Sequence, residues 1–138
     1  MFTKILVDFD IAHLSDQAAG QVLETAKAAG ASVTLLAIRA QLDNVMSKSD
    51  EDFIGKVKVQ IAPQFEQLKQ RADALGVPLA LEVTWGDEVE QLLAFIQRGD
   101  YDLLVIGKQH TGGLIHAIEG VVWKAAATRA PIPVLIFP

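Results

Sequence analysis

The chain has 138 residues, 51% of them hydrophobic and 21% charged, with a formal net charge of -5 and no cysteine. Such a composition fits one compact soluble domain and excludes a disulfide framework, a thiolate metal site and general affinity for nucleic acid or an anionic membrane surface. No stretch reaches the roughly 18 apolar residues of a membrane span, and the opening MFTKILVDFD carries acids where a secretory leader would stay apolar, so a cytoplasmic location is expected.

The elements follow in chain order. KILVDF is an almost wholly apolar, β-favouring run, as expected of a central strand covered on both faces. Ser15 and Asp16 offer a cap for a helix over Ser15 to Ala29, where Ala18, Ala19, Val22, Leu23, Ala26 and Ala29 recur at helical spacing before Gly30. SVTLLAI, from Ser32 to Ile38, repeats the buried-strand pattern, and a polar connection runs through QLDNVMSKSDED. From Asp50, the residues Phe53, Val57, Ile61, Phe65, Leu68, Ala72 and Leu75 lie three or four apart, so they share one face of a long helix that stops at Gly76.

Pro63 interrupts that pattern. A proline inside a helix removes one hydrogen bond at a cost of about 3 kcal/mol, which predicts a kink near Gln60 or a fresh helix starting near Pro63. The alternation in VKVQI admits a strand instead. VPLALEVT reads as a strand, GDEVEQLLAFIQRG as a helix with acids in its first turn, and YDLLVIG as another buried strand. A helix from Leu114 to Thr128 and a last strand in PIPVLIFP complete the chain. Strands that alternate with helices leave no room for hairpins, so the expected fold is α/β, a single open, doubly wound five-stranded parallel sheet with helices on both faces. Ligands of such sheets sit outside the carboxyl ends of the strands, where the strand order reverses.

Two features fall at those ends. Asp8 and Asp10 are two apart, so they point to one side of the sheet if the strand persists. A buried ionised acid is costly unless paired, and two of them suggest that the strand has reached an open, wet end. They admit three roles: Asp10 as a turn cap with Asp8 paired to a cation, Asp10 as an acceptor for a ligand's ribose or base, or metal chelation, for which no third ligand is in view. The second feature is GKQHTGGLIHAIEG, Gly107 to Gly120. Gly107 can take positive φ after its strand and let a ligand reach the backbone, as can Gly112 and Gly113 before the helix. Successive amides there, with the helix N-terminus, form an anion site to which Lys108 and His110 would add charge. Equally, the glycines suit a plain loop, and His110 and His116 lack metal-ligand spacing.

KILVDFD, ASVTLLAI and VIGKQHTGGLIHAIEGVVWKAAATRAPIPVLIF together resemble the universal stress protein family over nearly the whole chain. The resemblance implies a Rossmann-like sheet, a cytoplasmic regulatory or stress-response role without catalysis, and a homodimer paired through the last strand. It further implies a site for ATP or AMP, with magnesium, and a downstream protein partner that the sequence does not identify. ATP-binding members of the family carry Gly-x-x-Gly, nine residues, then Gly-Ser or Gly-Thr. Gly107 and Gly120 match the first and last glycines, but His110 stands at the second and Val121 at the hydroxyl position. Asp8 replaces a common proline two residues before the matching Asp10, Ile38 fits an apolar position lining the adenine, and Gly113 matches a further loop glycine.

These departures predict weakened binding. His110 brings a side chain where phosphate would meet bare backbone, and losing the hydroxyl at Val121 costs on the order of 1 kcal/mol. Asp8 adds negative charge beside an anionic ligand unless Lys108 or a divalent ion compensates, and protonation of His110 below about pH 6.5 would offset it. One alternative is a nucleotide hydrolase or phosphotransfer enzyme using Asp8 or Asp10 with a divalent ion, although no poised general base is visible. A phosphorelay receiver fits less well, because Trp85-Gly86 stands where an acceptor Asp would follow the third strand and no lysine follows the last one.

Overall fold

The computed structural model describes residues 2–9, 16–39, 50–107 and 122–137. Five strands, β1 (Lys4–Asp8), β2 (Ser32–Arg39), β3 (Leu79–Trp85), β4 (Leu103–Gly107) and β5 (Val134–Phe137), form one sheet in the order β3-β2-β1-β4-β5. Every pairing is parallel, as expected. Helices α1 (Asp16–Ala29), α2 (Asp50–Leu75), α3 (Glu88–Gly99) and α4 (Val122–Arg129) run between the strands. Ser15, the connection before Asp50 and the expected start of the last helix at Leu114 lie outside the described residues.

Alternation along the strands divides the core in two. Ile5, Val7, Phe9, Val33, Leu35, Ala37, Leu103 and Val105 pack with residues of α1 and α2, such as Val22, Ala26, Ile61 and Ala72. Leu6, Leu36, Leu104 and Ile106 pack on the other side with Leu92, Ile96 and Ala126 of α3 and α4. A strand with both faces covered is mostly apolar, which is why the three central strands read as hydrophobic runs, in which Thr34 and Asp8 are the buried polar residues. The order of strands reverses between β1 and β4, so the crevice of this sheet opens at their carboxyl ends.

Strand β1 ends one residue before the expected Phe9 and β4 begins two residues after the expected Tyr101, and three further details differ from expectation. First, α2 continues through Pro63 as one helix, so neither a second helix nor a strand in VKVQI forms. Pro63 lies on the solvent side, and Val59, whose carbonyl the proline leaves without its usual donor, is 76% exposed, so water can serve that carbonyl. Second, Val77 belongs to the end of α2, not to β3. Val77 N donates to Ala72 O at 2.8 Å and Gly76 N to Asp73 O at 3.1 Å, with Gly76 at φ 73. That is the paired capping pattern of a glycine-terminated helix, and the same bonds close α1 at Gly30 and Ala31. Third, β2 and β3 each run one residue further than expected, to Arg39 and Trp85.

At the amino ends of the strands, Asp102 ties β4 to β1. Its carboxylate accepts from Thr3 N at 2.8 Å, Thr3 Oγ1 at 2.9 Å and Lys4 N at 3.0 Å. Lys4 Nζ donates to Gly99 O and stands 4.6 Å from the centre of the Tyr101 ring. This polar clamp occupies the end of the sheet opposite the crevice.

Candidate functional site at the strand tips

The pairing of β1 with β4 brings Asp8 and Gly107 to neighbouring tips. Val7 stands opposite Val105, so Asp8 lies one residue and Gly107 two residues beyond a shared register point. Asp8 shares the side of the sheet occupied by Leu6, Leu36 and Ile106, and Ile38 packs at the margin of that same cluster. Asp8, Ile38 and Gly107 are therefore grouped around one crevice. Asp10, His110, Gly113, Gly120 and Val121, together with Lys108, lie outside the described residues.

Two expectations about these tips need correction. Asp8 is 9% exposed and Phe9, one residue on, is 1% exposed, so the strand does not reach an open, wet end at Asp8. Phe9 N donates to Leu36 O at 2.9 Å and its ring joins the α1 and α2 core, which closes the tip from that side. Asp8 takes part in a polar or charged interaction of its own, as a carboxylate so placed must. Gly107 does not take positive φ: among the described glycines only Gly30, Gly76 and Gly86 do. Its place in β4 opposite Phe137 of β5 holds it extended. Among the described residues, none lies within 4 Å of where a Cβ at Gly107 would sit.

The structure adds residues that sequence reasoning missed. Gly86 N donates to Arg39 O at 3.0 Å, and Gly86 sits at φ 128. A backbone in that region is open to glycine and strained for other residues, so the turn from β3 into α3 depends on it. Asp87 then caps α3 by accepting from Glu90 N at 3.0 Å. Thr84 Oγ1 donates to Gln91 Oε1 at 2.9 Å, tying the end of β3 to the first turn of α3. Arg39, with Nη1 donating to Ile38 O at 3.3 Å, brings a cation to these tips. The aspartate cap three residues before Glu90 was legible in the sequence; nothing in the sequence singled out Arg39.

Elsewhere, a surface groove of about 740 Å³ runs between α1 and α2, lined by Gln17, Gly20, Gln21, Arg71 and Leu75 among others, with no residue from the strand tips. Among the described residues no group of three His, Cys, Asp or Glu could hold a metal ion, and no helix is long and apolar enough to cross a membrane.

A doubly wound parallel sheet with its crevice at a β1/β4 switch point defines a broad class of ligand-binding α/β proteins. Within that class this chain belongs to the universal stress protein family, whose model matches residues 1–138. A sequence search of curated proteins gives no match. Among solved structures, it is similar to a universal stress protein in complex with cAMP, at 19% identity and a TM-score of 0.72, with 99% of this chain and 97% of that one covered. It is also similar to UspA from Lactobacillus plantarum, at 21% identity and a TM-score of 0.69, with 99% and 98% covered. A third is the universal stress protein from Archaeoglobus fulgidus in complex with dAMP, at 19% identity and a TM-score of 0.65, with 99% and 98% covered. At these identities the likeness establishes a shared fold.

Proposed function

We propose that this chain is a non-catalytic regulatory protein of the stress response, acting in the cytoplasm as a homodimer, with a weak site for an adenine nucleotide. The site lies outside the tips of β1 and β4, with ATP or AMP, and the magnesium that accompanies it, seated between Asp10 and the glycine segment that follows Gly107. The observation that carries this reading is the adjacency of Asp8 and Gly107 at the switch point of an all-parallel sheet. Two supports stand beside it: membership of the family, and adenine nucleotides bound by proteins of similar fold. A glycine at this tip, with no described residue near the position of a Cβ, suits close approach of a ligand to backbone.

Affinity should be modest, because His110 and Val121 stand where a bare backbone and a hydroxyl would serve phosphate. Isothermal titration with ATP, with and without magnesium, is expected to give a Kd on the order of tens of micromolar or weaker. The double substitution His110→Gly, Val121→Ser should tighten it. Unchanged affinity in that variant would mean that this segment does not hold the phosphates.

A further inference from the structure

Gly20 lies inside α1, where a glycine weakens a helix that an alanine would strengthen. Its use is a close approach. A Cβ at Gly20 would lie 2.7 Å from Nη2 of Arg71, so the missing side chain lets this guanidinium of α2 rest against the backbone of α1. Arg71 is exposed and has an interaction of its own, and the five donors of a guanidinium serve more than one partner at a time.

The groove of about 740 Å³ that Gly20 and Arg71 line also carries Glu24, which is exposed. Residues at i and i+4 share one face of a helix about 5–6 Å apart, so the groove sets a cation at Gly20 and an anion one turn further along α1. Beneath these charges the seam is apolar. Leu23, 3% exposed, lines the groove and also a void of about 10 Å³ in the core, walled elsewhere by Val7, Ala19, Leu68 and Leu79 among others. Leu68 precedes Arg71 by three residues on α2, as Leu23 follows Gly20 by three on α1, so both leucines underlie the guanidinium. A void with wholly apolar walls stays dry, and one of this size suits about one methyl group.

We propose that this groove binds a free α-amino acid with a branched apolar side chain, such as leucine. The carboxylate takes the fork of Arg71, the ammonium takes Glu24, and the side chain lies on Leu23 with a methyl group directed at the void. Such a ligand presents two opposite charges and one apolar arm from a single carbon. The groove offers the complement of all three. It contains no residue from the strand tips, so this inference stands apart from the nucleotide reading.

Titration of the intact protein at about pH 6.5, where α-amines are protonated, followed by NMR of its methyl groups, tests this with L-leucine, leucinamide, 4-methylpentanoate and glycine. L-Leucine is expected to shift the Leu23 and Leu68 signals with a Kd on the order of 0.1–1 mM, the modest affinity of an open groove. The three analogues lack the carboxylate, the ammonium and the side chain in turn, and each should bind about threefold more weakly or worse, the worth of one exposed charge pair or a small apolar contact. Arg71→Met should weaken L-leucine by a similar factor and leave leucinamide unchanged, whereas Glu24→Gln should weaken L-leucine and leave 4-methylpentanoate unchanged. Gly20→Ala, which favours the helix but displaces the guanidinium, should weaken L-leucine without lowering the melting temperature, so that lost binding is not lost folding. The proposal is overturned by the absence of a saturable shift with L-leucine up to about 10 mM, tenfold above the weakest Kd expected. It is equally overturned by any analogue that binds as tightly as L-leucine, or by unchanged affinity for L-leucine in any of the three variants.

Discussion

Asp102 illustrates how much a single carboxylate can do at the end of a sheet. Burial by itself would raise its pKa, but the amides of Lys4 and Thr3 and the Thr3 hydroxyl donate to it and hold it below the ordinary value of 3.8. A lowered pKa in the folded state means that the unfolded chain binds more protons as the solution is acidified. The contribution is therefore complete above pH 3.8 and is lost as pH falls through the lower folded value. Urea unfolding followed from pH 5 downward should show Asp102→Asn losing less stability over this range than the unchanged protein. At neutral pH Asp102→Ala should cost about 1–2 kcal/mol, the worth of bonds to a charged acceptor discounted for exposure. Gly86 is sensitive for a different reason. At φ 128, with Gln91 Nε2 3.2 Å from where a Cβ would sit, Gly86→Ala should lose about 1–3 kcal/mol in the same measurement.

The long helix α2 shows how an element tolerates a residue that should break it. Ile61 is fully buried and Val57 and Leu68 nearly so, and this apolar face holds the helix on the sheet on both sides of Pro63. Because tertiary packing supplies most helical stability, one missing bond on the solvent side is affordable. Pro63→Ala restores that bond, and it is expected to raise stability by about 1–3 kcal/mol, somewhat below the full cost of an interior proline because Val59 is exposed to solvent that can satisfy its carbonyl. No gain would mean that the helix is shaped around the proline. In α3, by contrast, the critical contact is apolar. Leu92 is fully buried beside Leu36 and Leu104, so Leu92→Ala should cost about 2–5 kcal/mol on denaturant unfolding.

At the scale of the molecule, the two edges of the sheet differ. On β3 the exposed residues include Ala80 and the charged Glu82, whereas β5 presents Val134, Leu135, Ile136 and Phe137, with Leu135 39% exposed. An apolar edge strand invites pairing with another chain, and a charge on it discourages pairing. The proposed dimer through β5 therefore predicts that Leu135→Lys yields a monomer by sedimentation velocity at micromolar concentration, with little change in far-UV circular dichroism. A monomer from the unchanged protein would remove the dimer from the proposal.

The sequence by itself determined the order of the elements, because runs covered on both faces are mostly apolar while helices repeat at three and four. It also determined the helix ends at Gly30 and Gly76, since a left-handed cap selects glycine locally. The candidate site was legible only in part. Asp8 and Gly107 could be placed at strand ends from their flanking hydrophobic runs, yet the burial of Asp8 comes from the place of β1 between β2 and β4, and the extended backbone of Gly107 comes from β5. Those are contacts between residues far apart in the chain, and no local pattern encodes them.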